Sequence, residues 1–356
     1  MIVGTRDPFG FDRLHYHPRS GVSASGIRAV LRASGQQPAG APDAAAIAGY
    51  LSGERLVGRT VLRDVLAVPP GHALIRSPQG LTVQPAPERP QPADLGTALR
   101  ASLQRALDSG KRVALALSGG LDSALLLALL RELGALRHVT AYILVTDMPD
   151  YCERDAALEL ATQMQANVKI VCATEADFIA ALPRTTHAVE EPMFNLHPVA
   201  KLLLAEAMAA DGVEVAITGD GADQVLRRDR SANYLPLCHA LFDAASVDLH
   251  PPFVDAAVVA HLTSIAPDPN KQCLRDLGAR LNLPDRLVHG PKRGRLAPAM
   301  DLATLLDRDR THALADTLGV AAPALQTDTE RVLWTTLTLI LDHLDRLHPD
   351  AVHRPT

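Results

Sequence analysis

Two short glycine-bearing strings hold the residue types that can do chemistry. In Ser118-Gly119-Gly120-Leu121-Asp122-Ser123, bare glycine amides, two hydroxyls and a carboxylate follow the apolar run RVALAL (112–117) and precede the apolar stretch SALLLALLREL. That order reads as strand, turn, helix, so the amides and hydroxyls meet the positive end of a helix, a place that suits an anion. The turn lacks the lysine of a GxxxxGK[ST] loop, and Asp122 repels phosphate unless Mg²⁺ stands between them, which predicts pyrophosphate held through a metal. A second turn, Thr218-Gly219-Asp220-Gly221-Ala222-Asp223, again follows an apolar run. Its carboxylates are expected at the same edge of the sheet, where Asp122 and Asp223 would share one metal. Taken singly, the first string also serves as a packing turn and the second as an Asx-type turn.

The elements that must position these turns follow from periodicity. Leu95, Leu99, Leu103 and Leu107 form one helix stripe, and VTAYILV from Val139, VKIVCA from Val168 and VEVAITG from Val213 are further strand candidates, separated by helical patterns such as HPVAKLLLAEAMAA. The alternation predicts an α/β fold with a doubly wound parallel sheet. Near the end, Val332, Leu333, Thr336, Leu337, Ile340, Leu341 and Leu344 make a helix stripe that reads as a packing face. The segment Leu81–Asp94 holds four prolines, which neither a helix nor a central strand tolerates. It divides the chain into a small mixed region at 1–84, a linker at 85–94 and a larger domain at 95–356.

Composition narrows the classes of function. The 356 residues are 47% hydrophobic and carry a formal charge of −5, so a full core is expected and nucleic acid is not an expected partner. No apolar run is long enough to span a membrane, and MIVGTRDPFG lacks the apolar core of a signal peptide. Cys152, Cys172, Cys238 and Cys273 are widely spaced with no CxxC pair, which fits a reducing cytoplasm rather than a disulfide framework. His15 and His17 lie at alternate positions with no carboxylate or thiol nearby and read as structural.

Taken in order, SGGLDS at 118, EEP at 190, TGDGADQ at 218, PPFVD at 251 and GPKRG at 290 resemble the asparagine synthetase family, which includes β-lactam synthetases and lasso-peptide cyclases. RDPFGFDRLHYH, PDAAAIAGYL and RTVLRDVLAVPPGHAL resemble the latter part of that family's glutaminase-like (Ntn-hydrolase-like) domain, so 1–84 is expected to be a truncated α+β remnant of it. The resemblance implies a PP-loop ATP pyrophosphatase fold, of the adenine nucleotide alpha hydrolase type. It also implies ATP and Mg²⁺, and a reaction in which a carboxylate is adenylated with release of pyrophosphate before an amine attacks the acyl adenylate.

By the same resemblance Ser118, Gly119, Gly120 and Ser123 cradle the pyrophosphate with Gly219 and Asp220 near the nucleotide, Asp122 and Asp223 hold the metal, and Lys292 in GPKRG is the catalytic lysine. Glu190 and Glu191 become candidates on the substrate side, and Asp248 a base or a helix cap. Lys271 matches a lysine ahead of the family's later helices and reads as structural. Glutamine-using members begin Met-Cys, whereas this chain begins Met1-Ile2-Val3, so no glutaminase activity is expected. The trimmed N-terminal region is expected to expose a strand edge that a partner protein or second subunit covers, and the interval from Asp223 to Pro252 looks short for the family.

The resemblance implies an AMP-forming amide synthetase joining a carboxylate to an amine, with a precursor peptide among the expected substrates, to close a lactam or a lasso-type macrolactam in natural-product assembly. An ammonia-dependent asparagine synthetase, a catalytically inactive peptide-binding subunit and a tRNA-modifying PP-loop enzyme stay open beside it.

Overall fold

The structure, a computed structural model, describes residues 1–35, 40–54, 56–87, 93–148, 154–228, 234–290, 302 and 305–345. The chain begins with β1 (Ile2–Thr5), β2 (His15–His17), β3 (Val22–Ala24), α1 (Ile27–Ser34), α2 (Ala44–Ser52), β4 (Leu66–Ala67), β5 (His72–Ser77) and β6 (Gly80–Pro85). It continues through α3 (Leu95–Leu107), β7 (Val113–Ala116), α4 (Leu121–Glu132), β8 (Thr140–Thr146), α5 (Arg154–Met164), β9 (Asn167–Ala173), α6 (Glu175–Val189) and α7 (His197–Ala210). It ends with β10 (Val215–Ile217), α8 (Ala222–Arg227), α9 (Leu235–Ala244), β11 (Asp248–His250), α10 (Ala256–Ser264), α11 (Gln272–Arg280), α12 (Asp285–Val288), α13 (Arg308–Leu318) and α14 (Asp328–Asp345). No described helix is long and apolar enough to cross a membrane.

Packing separates two units, and they do not follow the linear division expected at 84 and 94. The first combines Met1–Pro87, Ile179–Val199 and Ala299–Thr356; the second combines Glu88–Phe178 and Ala200–Pro298. The cause lies in the stripe of α14. Trp334, Leu337, Ile340, Leu341 and Leu344 share one core with Ile27, Val30 and Leu31 of α1, Ile47 and Tyr50 of α2, and Val61, Leu62 and Val65. An amphipathic helix must bury its apolar face, and fewer than about 90 N-terminal residues make a marginal core alone.

The first unit holds two antiparallel sheets, ordered β1-β5-β6 and β3-β2-β4. Leu81–Pro85, expected within or beside the linker, belongs to β6, an edge strand, where a terminal proline costs no ladder bond. Glycine at the N-cap of α1, Gly26, offers no side chain to the helix. Glu190 supplies the missing acceptor: its Oε2 accepts from Ile27 N at 2.6 Å, and its Oε1 from Arg28 N at 3.0 Å and Arg28 Nε at 2.8 Å. Arg13 Nη2 reaches the same carboxylate at 3.2 Å. Any Cβ on Gly26 would come within 2.8 Å of Glu190 Oε2, so glycine is required there for space.

His15 and His17 are buried on β2, their Nδ1 atoms 3.0 Å from Ser25 O and Ser20 Oγ respectively. Among the described residues no group of three or more His, Cys, Asp or Glu side chains that could hold a metal ion occurs, and none forms around these histidines. Burial, aided by Arg13 and against the pull of Glu191 and Glu190, lowers the His15 pKa from 6.5 to about 4. The unfolded chain then binds the proton more readily than the folded one across that window, so stability is complete above about pH 6.5 and is lost as pH falls toward about 4. Denaturant titrations are expected to show a loss of about 3 kcal/mol over that interval, flattened in His15→Asn; an unchanged midpoint from pH 7 to 4 would remove this role.

The second unit is built on a five-stranded sheet, ordered β11-β10-β7-β8-β9, with every neighbouring pair parallel. Val113–Leu115 and Val215–Ile217 are buried without alternation, as strands covered on both faces must be. β9 differs: Val168 and Ile170 are 36% and 41% exposed, because it is an edge strand. From β7 the chain adds β8 and β9 on one side and β10 and β11 on the other, so strand order reverses between β7 and β10. Crevices for ligands open outside the carboxyl ends of strands at such a reversal.

Candidate functional site

Both sequence-marked turns leave the sheet at this reversal. β7 ends at Ala116, and Ser118-Gly119-Gly120 leads into α4, whose N-cap, Gly120, makes no side-chain cap. The N-cap residue thus lends no side chain to the start of α4, whose positive end lies at the turn. Ser123 does not face outward: it is 4% exposed, and its Oγ lies 2.9 Å from Ser118 Oγ, accepts from Ser118 N at 3.1 Å and donates to Ser118 O at 3.1 Å. Gly120 N donates to Ser118 Oγ at 3.2 Å. The two serines brace the loop from within, fixing the direction of its amides before any ligand arrives.

β10 ends at Ile217, and Thr218-Gly219-Asp220-Gly221 crosses directly over the start of α4. A Cβ at Gly219 would lie 3.0 Å from Asp122 Cβ and 3.1 Å from Ser123 N. Gly221 has φ +96, and a Cβ there would stand 2.4 Å from Val254 Cγ1. Gly219 lets the two turns touch, while Gly221 makes room for Val254. Asp122 in the first turn of α4 and Asp223 in the first turn of α8 converge on one point.

What occupies the point of convergence is Lys271. Its Nζ donates to Asp122 Oδ2 at 2.6 Å and to Asp223 Oδ2 at 3.0 Å, and the residue is 7% exposed. Lys271 is the left-handed N-cap of α11, and α11 packs against α4. From the sequence alone this lysine reads as structural. The one signal available was its rarity, since the chain has only five lysines. Another lysine, Lys201 on α7, donates to Asp220 Oδ2 at 2.6 Å, with both side chains largely buried. Three carboxylates and two ammonium groups therefore meet at one sheet edge. Arg227 adds a longer contact to Asp223 at 3.6 Å.

Two carboxylate oxygens from separate loops reaching one cation make a hard-oxygen donor set. This fits Mg²⁺, which takes one or two protein carboxylates and completes its shell with water and phosphate oxygens.

The other expected residues lie elsewhere. Asp248 is aligned with Val215, which is aligned with Val113, so it opens β11 at the amino edge, opposite the turns. It is 68% exposed at the side chain and pairs with Lys111, an arrangement that leaves it neither base nor cap at this site. Glu190 caps α1 in the first unit, and Glu191 accepts from Tyr50 OH at 3.2 Å in the same unit. Lys292 lies outside the described residues.

One comparison with known protein families falls on the segment that carries both turns. Residues 94–228 match the asparagine synthase family. A curated protein of Gibberella zeae described as amidase chry2 is 25% identical over 254 residues, covering 63% of this chain and 37% of the relative. The chain thus spans little more than a third of that relative's length. Among solved structures, NMN synthetase from Francisella tularensis aligns at 17% identity and a TM-score of 0.38, over 74% of this chain and 97% of that one. NH3-dependent NAD synthetase from Campylobacter jejuni aligns at 15% and 0.35, over 73% and 95%. U34-tRNA thiolase NcsA from Methanococcus maripaludis aligns at 16% and 0.36, over 74% and 80%.

Proposed function

We propose that this chain, whose residues 94–228 match the asparagine synthase family, is an ATP-using, AMP-forming amide-bond synthetase. It adenylates a carboxylate and hands the acyl group to an amine carried by its substrate, closing a lactam or macrolactam in the manner of lasso-peptide assembly. One observation carries the reading: Asp122 and Asp223, from the turns after β7 and β10, reach a single cation beside the uncapped start of α4.

Adenylation needs the departing pyrophosphate neutralised and aligned, without proton transfer at phosphorus. Amides at the start of α4, held by the Ser118–Ser123 brace, orient it. Asp122 and Asp223 would hold a metal, which would supply charge neutralisation when bound. Lys271 places a further positive charge at the same point. Lys292 is assigned the stabilisation of charge at the α-phosphate and on the tetrahedral intermediate.

The test is carboxylate-dependent ATP–pyrophosphate exchange over a panel of acidic peptides and amino acids. Exchange with a peptide acid and none with aspartate supports the reading; exchange with aspartate alone, captured by ammonia, replaces it with asparagine synthesis. Absence of both exchange and ATP binding leaves only a non-catalytic subunit. Lys292→Ala is expected to retain ATP binding within about threefold while lowering turnover by about 10²–10³, read by equilibrium binding beside product formation.

A further inference from the structure

Asp122 and Asp223 are already bridged in the free protein, and the bridge is built in. Lys271 is 9% exposed at its side chain, and its backbone is set in the left-handed region at φ +58. Its N–H donates to Asp268 O at 3.1 Å, while its carbonyl accepts from Leu274 N and Arg275 N at 3.1 and 2.9 Å. Gly278 of α11 sits over Leu121, beside Asp122. The lysine therefore springs from a helix seated on the element that carries one of its partners. Asp220, on the same turn as Asp223, takes a different lysine, Lys201. The pairing at Asp122 and Asp223 is selective.

We propose that Lys271 is a placeholder: its ammonium closes the two carboxylates in the free protein, so that a divalent cation enters only together with the phosphates of the nucleotide. This rests on the metal-binding reading of Asp122 and Asp223 given above. With the ammonium in place the three groups carry one net negative charge instead of the two of the bare carboxylates. A free divalent ion must shed water, which Mg²⁺ does reluctantly, and sit within a few ångströms of a fixed positive charge. A metal arriving on a polyphosphate brings its own negative oxygens, which offer the ammonium new acceptors as it leaves the carboxylates. Metal and nucleotide then each tighten the binding of the other, as linkage requires.

Mn²⁺ alone, titrated into the full-length protein and followed by the electron paramagnetic resonance of the free ion, tests this. Lys271→Met keeps the stem of the side chain and removes the charge. It is expected to bind Mn²⁺ at least about tenfold more tightly than the wild type without nucleotide, whereas the wild type reaches comparable affinity only with α,β-methylene-ATP present. Lys271→Gln gives the same reading should the methionine variant unfold on heating earlier than the wild type. Equal Mn²⁺ affinity of wild type and variants without nucleotide overturns the placeholder, whether or not the analogue then tightens binding. If no Mn²⁺ is taken up by any form even with the analogue, the metal site itself falls, and with it the proposed chemistry.

Discussion

Asp122→Asn and Asp223→Asn are each expected to lower carboxylate-dependent ATP–pyrophosphate exchange by about 10²–10³ while leaving the fold intact. Asparagine keeps the shape of the side chain, so the close approach of Gly219 to Asp122 Cβ at 3.0 Å is preserved. What changes is charge. One carboxylate remains to face both Lys271 and an incoming metal, and a single anion no longer offsets the two. Circular dichroism and thermal unfolding should overlay with the wild type, so that lost exchange reports on chemistry. Retention of wild-type exchange by either variant would show that the convergence at this sheet edge does not serve adenylation.

Glu190→Gln is expected to cause the largest loss of stability of any single change discussed, about 3–5 kcal/mol, as for breaking a buried ion pair from one side. Burial by itself would raise the pKa of this carboxyl, yet Arg13, the Arg28 side chain and the Arg28 amide together hold it below its ordinary value. The charge is thus present at neutral pH, and its contribution is lost as pH falls through the lowered value. Glutamine leaves Arg13, whose side chain is 9% exposed, without its counter-charge and offers the start of α1 one neutral oxygen for two amides. Denaturant unfolding followed by far-ultraviolet dichroism measures the loss. Asp248→Asn, at an exposed pair, serves as the control and is expected to shift nothing measurable.

The parts of the site that could be read from the chain are those whose demands are local. SGGLDS and TGDGAD announce themselves because glycine is needed where two loops touch, and because RVALAL ahead of the first turn has the unbroken apolar character of a covered parallel strand. Lys271 could not be read in this way: it meets Asp122 across 149 positions, and nothing in NKQCLRDLG distinguishes a lysine folded inward from one in solvent. Glu190 misled for the related reason that EEP has the same composition whether its carboxylates serve a substrate or cap a distant helix. β11 escaped notice because its three residues, Asp248–His250, are too few to show alternation. The stripe of α14 was plain as a packing face, but periodicity names a face and not the surface that it meets.

That meeting has a cost in time during synthesis. Trp334, Leu337 and Ile340 finish what Ile27, Ile47 and Leu62 begin, so a ribosome must add the whole stretch from Leu62 to Trp334 before the earliest helices find shelter. At about 5–20 residues per second, the wait from Leu62 to Trp334 is roughly 15–50 s. Through that interval those apolar residues lack the partners that cover them in the folded chain, so their burial waits on the last helix.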